Sequence, residues 1–340
     1  MRRWAFRLAL WLVVGCTPTT STTPPAEPSP PGEDAAATAP ASEHDAPPLT
    51  AATDLYQATY GDAGRTLVFL HGGPGYNSAL FEASTADALA ADYRVVVYDR
   101  RGAGRSPDVT DGTASFTFAQ TSVDLEAILA GTPAPILLAH SFGGAVAVAY
   151  LDSHPEFDGQ VVLINAPVSY PRSLHTIVDN CRDVYDTTGN DESLRQLERL
   201  SEMDDTTAMY ASFVFMHGMS CGLYRPSRPT EEAGKIFTAA AKKEASKFFT
   251  VSKPLPVSGF VDNEHYTTLD LSPKIEAHAD RIWAIYSDED RIISPDDRAF
   301  LKKTLGERYV QIEGAAHNVF IDQQAAFITA LGRLVAATGP

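Results

Sequence analysis

From residue 53 onward, short runs rich in β-branched residues alternate with amphipathic stretches of helical period. That alternation permits few folds. Two strands can lie parallel in one sheet only if a crossover carries the chain back, and an α-helix packed on the sheet face is the usual crossover. Thr66 to Leu70, Tyr93 to Tyr98, Pro135 to Leu138, Gln160 to Ile164, Ile282 to Tyr286 and Tyr309 to Ile312 read as strands. Helical patterns fall at Ala79 to Ala91, Thr121 to Ala130, Phe142 to Ser153, Asp296 to Thr304 and Phe320 to Ala337. Most of the strands are apolar along their whole length, as expected when helices cover both faces of the sheet. The expectation is an α/β fold with a mostly parallel central sheet.

Between Ala166 and about Lys274 the alternation stops, so residues 168–274 read as a helical insertion into a core made of residues 53–167 and 275–340. A structureless connection of that length would be foreign to a compact domain. The insertion holds Cys181 and Cys221, and in an exported chain such an even pair suggests one disulfide. On the chain-entropy model the bridge would be worth about 4 kcal/mol.

Export is itself an inference from the first residues, MRRWAFRLALWLVVGC. Arginines precede an apolar run from Trp4 to Val14 that is too short to span a bilayer, and small residues then lead to a cysteine. Residues 1–15 read as a signal peptide, and Val13-Val14-Gly15-Cys16 resembles a bacterial lipobox, with Cys16 becoming the lipidated N-terminus. Residues 16–52 hold nine of the 23 prolines and no aromatic residue, so they form a tether without a core of its own. In extended form it reaches up to ~100 Å. The expected location is outside the cytoplasm, lipid-anchored to a bacterial membrane. With 27 basic against 43 acidic side chains, the formal net charge of −16 disfavours nucleic acid as a partner.

Chemistry is suggested first by Ala139-His140-Ser141-Phe142-Gly143-Gly144, which joins an apolar strand to a helix of small residues. Such a tight strand-to-helix turn exposes the serine hydroxyl on strained backbone. A base is available in His317, between the last strand and the last helix. Loops that leave the carboxyl ends of parallel strands converge on one crevice. The loop after Ile282 to Tyr286 offers Asp288, Glu289 and Asp290 as the carboxylate that would orient the imidazole; spacing alone leaves the choice open. His71-Gly72-Gly73-Pro74-Gly75 follows the strand Thr66 to Leu70 and could turn backbone N–H groups into the crevice. The N–H groups of Gly73 and Phe142 are the candidate oxyanion donors. Asp99, Arg101 and Ser106, within DRRGAGRS, read as braces between loops.

In this order, HGGPG, DRRGAGRS, HSFGG, the acidic loop and the late histidine resemble the α/β-hydrolase superfamily, and HGGPG with DRRGAGRS is most similar to its proline iminopeptidase-like branch. The resemblance covers residues 55–167 and 276–338. It implies an α/β-hydrolase fold with an inserted lid, and a Ser-Asp-His triad. The superfamily's G-x-x-D turn maps onto Ser287 to Asp290 and points to Asp290 as the acid. Ser141, Asp290 and His317 are then the expected catalytic residues of a serine hydrolase acting on a small-molecule or short-peptide substrate, and Ser141 excludes the aspartate nucleophile of related epoxide hydrolases and dehalogenases.

The chain also departs from the iminopeptidase pattern. Its turn reads A-H-S-F-G instead of G-G-S-W-G, and its only tryptophans are Trp4, Trp11 and Trp283, none in the insertion. Carboxylesterase or lactonase activity is therefore an alternative to aminopeptidase activity, and a catalytically silent binding protein on the same fold is a third reading. Glu198, Glu202, Asp204 and Asp205 could hold a substrate amine or simply face water. Phe213, Val214, Phe215, Met216 and Met219 could line an acyl pocket or form the core of the lid. No metal or organic cofactor is expected: no Cys/His cluster has zinc spacing, and HGGPG lacks the lysine and Ser/Thr of a phosphate-binding loop.

Overall fold

The computed structural model describes residues 49–337; the leader, Cys16 and nearly all of the tether lie outside the described residues. The described chain contains a seven-stranded sheet of order β1-β3-β2-β4-β5-β6-β7. The strands are β1 Gln57–Tyr60, β2 Thr66–Leu70, β3 Arg94–Tyr98, β4 Ile136–His140, β5 Gln160–Ile164, β6 Ile282–Ser287 and β7 Tyr309–Ile312. Only β1 runs antiparallel, pairing β3 from Gln57 opposite Tyr98 to Tyr60 opposite Val95.

Side chains alternate between the two faces of the sheet. Val68, Leu70, Val96, Leu137, Ala139, Val161 and Leu163 belong to one buried cluster. Leu67, Phe69, Val95, Val97, Ile136, Leu138 and Val162 belong to the other. Helices cover each face. They run α1 Ala79–Phe81, α2 Asp87–Leu89, α3 Phe118–Leu129 and α4 Gly143–Ser153 in the first half. Then come α5 Tyr170–Thr188, α6 Asp191–Leu200, α7 Ala208–Ser220, α8 Glu231–Ala240, α9 Pro254–Glu264 and α10 Ser272–Ala277 between β5 and β6, followed by α11 Pro295–Leu305, α12 Val319–Asp322 and α13 Gln324–Ala337. None of the described helices is long and apolar enough to cross a membrane.

Four expectations change in detail, one being that the helix expected over Phe320 to Ala337 is divided at Gln323 into α12 and α13. The edge strand β1 has the half-exposed sequence QATY, whose burial alternates weakly, and it escapes a search for apolar runs. The helix expected over Ala79 to Ala91 is interrupted by a π-turn, Glu82–Ala86. There Glu82 turns inward to accept Tyr56 Oη–H at 2.9 Å and Tyr60 Oη–H at 2.8 Å, with Arg105 at 2.6 Å. Strand β4 ends at His140 instead of Leu138, because the His140 ring is buried beside Phe69 and Phe320 and prolongs the strand up to Ser141 itself.

The segment between β5 and β6 leaves and returns at one point. Leu271 N–H donates to Val168 O at 2.8 Å and Tyr170 N–H to Leu269 O at 2.9 Å. Cys181 of α5 and Cys221 after α7 are disulfide-bonded, with Cα atoms 5.6 Å apart. The segment sits against the loop after β2 through a short strap. Asn77 Nδ2 donates to Phe248 O and Val251 O at 2.9 Å, Lys253 N–H donates to Gly75 O at 2.9 Å, and Tyr76 Oη–H donates to Phe249 O.

Candidate active site

Four loops at the carboxyl ends of β2, β4, β6 and β7 supply the groups that the sequence singles out. Ser141 follows β4 with φ 54°, a left-handed conformation that costs a residue with a Cβ roughly 1–2 kcal/mol. Its N–H donates to Ile164 O at 3.0 Å and its O accepts Gly144 N–H at 2.9 Å, so strand and helix meet with no spare residue. Small residues are required after this turn, at the start of the helix. A Cβ on Gly143 would lie 2.2 Å from Leu70 O, and one on Gly144 would lie 2.4 Å from Ala166 Cβ.

The candidate base and the candidate acid are in contact. His317 Nδ1–H donates to Asp290 Oδ2 at 2.8 Å, with the carboxylate fully buried and the imidazole nearly so. Asp290 Oδ1 accepts Ile292 N–H at 3.0 Å. With Nδ1 committed to Asp290, Nε2 is left as the ring's acceptor. The two competing acids are engaged elsewhere: Asp288 Oδ1 accepts Gly314 N–H at 2.8 Å, and Glu289 Oε2 accepts Ser227 N–H.

The glycine-rich loop after β2 reaches the serine. A Cβ on Gly72 would stand 2.9 Å from Ser141 Cβ and 3.3 Å from its Oγ. Gly73 has φ 72°, and a Cβ there would strike Tyr76 at 2.6 Å. Phe142 is the N-cap of α4, where the first N–H groups of a helix have no intrahelical acceptor. Beneath this loop lies the buried Arg100, which sequence reasoning did not single out from its neighbours in DRRGAGRS. Its guanidinium donates to His71 O at 2.5 Å, Gly72 O at 3.0 Å and Pro74 O at 3.3 Å. Burial lowers its pKa to about 10. His71 Nε2 accepts Arg100 N–H at 3.0 Å while Nδ1 faces Gly72 O at 2.9 Å, an arrangement for neutral imidazole. Burial and then the Arg100 charge push His71 down to about 3.

Asp99, Arg101 and Ser106 brace the neighbouring loops. Asp99 Oδ1 accepts Ser78 N–H and Oγ–H, Arg101 pairs with Asp124 at 2.8 Å, and Ser106 Oγ accepts Tyr56 N–H at 3.0 Å. From the inserted segment, Tyr224 stands edge-on to His317 with ring centroids 5.2 Å apart, a second residue that sequence reasoning did not single out. The acidic residues of that segment, Glu198, Glu202, Asp204 and Asp205, are exposed. Asp205 and His175 line a cavity of about 350 Å³ formed with Asp179, Arg182 and Tyr210. The apolar cluster divides. Val214 is fully buried, whereas Phe213, Met216 and Met219 are 40%, 52% and 69% exposed.

Residues 65–324 match the family model described as the alpha/beta hydrolase fold. Among curated proteins the chain is similar to a proline iminopeptidase of Saccharolobus solfataricus, 33% identical over 36% of this chain and 41% of the relative. It is also similar to a proline iminopeptidase of Levilactobacillus brevis, 25% identical over 80% of this chain and 88% of the relative. The chain thus spans about two fifths of the length of the first relatives it matches. A solved proline iminopeptidase-related protein from Thermus thermophilus superposes with TM-score 0.60 at 24% identity, covering 83% of this chain and 93% of that one, which supports the fold. The family match extends over more than half of the chain, from β2 to the start of α13, and the chain belongs to the α/β-hydrolase fold family.

Proposed function

We propose that this protein is a serine hydrolase that cleaves an ester or amide bond through an acyl-enzyme, of the proline iminopeptidase type, with Ser141 as nucleophile, His317 as base and Asp290 as the orienting acid. The observation that carries this reading is the 2.8 Å bond from His317 Nδ1 to Asp290 Oδ2, in a molecule that sets Ser141 on a left-handed turn beside a glycine-rich loop. In the first half-reaction, Ser141 Oγ attacks the substrate carbonyl carbon while His317 Nε2 takes the hydroxyl proton. The carbonyl oxygen becomes an oxyanion held by the Gly73 and Phe142 N–H groups. Collapse of that intermediate breaks the scissile bond, and the departing alcohol or amine takes the proton from His317. Water then attacks the acyl carbon as His317 removes its proton, and Ser141 leaves with that proton restored.

A second reading, carboxylesterase or lactonase, is favoured by one observation. The lid group against His317 is the phenol of Tyr224, while the lid carboxylates that would hold a substrate amine are exposed. Hydrolysis of prolyl and alanyl anilides with free and blocked N-termini, alongside short and medium acyl esters, separates the two. Turnover of free but not blocked anilides, lost in Ser141→Ala, is the aminopeptidase result. Ester turnover alone transfers the assignment to the second reading, and absence of both overturns the hydrolase.

The same proposal places the enzyme outside the cytoplasm, held to a membrane through lipid on Cys16 at the end of its proline-rich tether. Growth of producing cells with radiolabelled palmitate should label the wild-type chain and not Cys16→Ala; equal labelling contradicts the anchor.

A further inference from the structure

The loop that carries His317 is held by its backbone. Glu289 N–H donates to Ala315 O at 3.0 Å, and Ala316 N–H donates to Asp322 Oδ2 at 3.0 Å. Asn165 Nδ2 lies 3.0 Å from both Ala316 O and His317 O, and His140 Nε2–H donates to His317 O at 3.0 Å.

Among these groups Asn165 has a second set of partners. Its Oδ1 accepts Ser287 N–H at 2.9 Å, and its Nδ2 lies 2.9 Å from Ser287 Oγ. Ser287 ends β6 and opens the turn that closes with Asp290. One fully buried amide at the end of β5 therefore joins the turn that carries the acid to the loop that carries the base. A carboxylamide suits this place: it donates from Nδ2 toward the two carbonyl oxygens and accepts the Ser287 N–H at Oδ1 within one planar group. Asn165 also has φ 45°, a left-handed conformation that glycine adopts without strain. Such strain persists where the surroundings over-determine the residue.

We propose that Asn165 is a positioning residue that sets the acid turn and the base loop in register, so that His317 Nδ1 meets Asp290 Oδ2. Its effect on rate rests on the hydrolase reading, but its effect on the His–Asp bond does not. Asn165→Gly keeps the backbone conformation and deletes the bridge. Asn165→Asp keeps the shape and replaces the donor with a carboxylate facing two carbonyl oxygens.

The full chain and both variants are compared by two measurements. One is proton NMR of the downfield His317 ring N–H, identified by its loss in Asp290→Asn. The other is the rate of labelling by a fluorophosphonate. The ring proton is expected to shift or exchange out in both variants, and labelling to slow about 10- to 100-fold, the scale of a small misplacement of reacting groups. KM for a turned-over substrate should stay within about twofold while kcat carries the loss. Should Asn165→Asp fail to fold, Asn165→Gly is read alone. A wild-type ring proton and labelling rate in the folded variants, with only the melting temperature changed, would overturn the proposal, as would absence of the ring proton from the wild type. If the ring proton moves in the variants but the wild type does not label, the positioning role stands and the hydrolase reading falls.

Discussion

A serine hydroxyl is a weak nucleophile in water, and what distinguishes Ser141 is its left-handed backbone and the glycine-rich loop beside it. The imidazole of His317 is fixed by a buried carboxylate, whereas Asp288 spends its oxygen on the Gly314 N–H. Asp290→Asn should therefore lower kcat by roughly 10⁴-fold, by leaving the histidine in the wrong tautomer, and Asp288→Asn should leave kcat within about tenfold of wild type. Steady-state kinetics of the pair is the check; equal losses would show that the acid is misassigned. Gly72 gives a steric test of the same centre. A methyl there would lie 3.3 Å from Ser141 Oγ and 2.9 Å from its Cβ. Gly72→Ala should slow acylation at least tenfold, by the sensitivity of reacting geometry to displacements of about 1 Å. An unchanged acylation rate would mean that the serine does not react where it now points.

Among the elements, α4 and the disulfide-linked helices carry separate predictions. The seat of α4 depends on backbone approach at Gly143, where a Cβ would sit 2.2 Å from Leu70 O. Gly143→Ala must push helix from strand, and it is expected to destabilise the fold by roughly 1–3 kcal/mol in denaturant titration. The Cys181–Cys221 bridge closes a separation of 40 residues, so removing it should cost about 4 kcal/mol on the loop-entropy model. Thermal melting of Cys181→Ser/Cys221→Ser against wild type measures it, and equal melting temperatures would contradict it. Elements whose burial follows a simple period were legible in the sequence: β2 to β6 are mostly apolar runs, and the glycines after Ser141 mark a tight turn. What escaped depends on partners distant in the chain. His140 reads as a turn residue until the rings of Phe69 and Phe320 bury it. Glu82 reads as a surface helix residue until Tyr56, Tyr60 and Arg105 draw it into the π-turn. Asn165 and Tyr224 act across 152 and roughly 90 residues of chain, and no local pattern announces either contact.

For the whole molecule, the buried histidines set how stability depends on pH. His71 is pushed down to about 3, and burial together with the neighbouring His317 holds His140 well below the ordinary histidine range. Both bind protons more readily in the unfolded chain, so their contribution is fully present above about pH 6.5 and is lost as pH falls toward the folded-state values. Asp322 works in the opposite sense, because burial raises it to about 6 and it loses protons less readily when folded. His217, also lowered by burial, adds to the histidines, and Asp297 and Glu264, raised by burial, add to Asp322. The large shifts of His71 and His140 lead, so the free energy of unfolding should fall between about pH 6.5 and 4, and Asp322→Asn should steepen that fall. Denaturant titration across the range tests both signs, and a flat profile would contradict them. The central claim, that Ser141 is the nucleophile of a hydrolase, is tested most directly by intact-mass spectrometry after treatment with a fluorophosphonate. A single adduct is expected on the wild-type chain, mapped to Ser141 and absent from Ser141→Ala. No adduct on the folded wild type, or an adduct that survives in the variant, would contradict it.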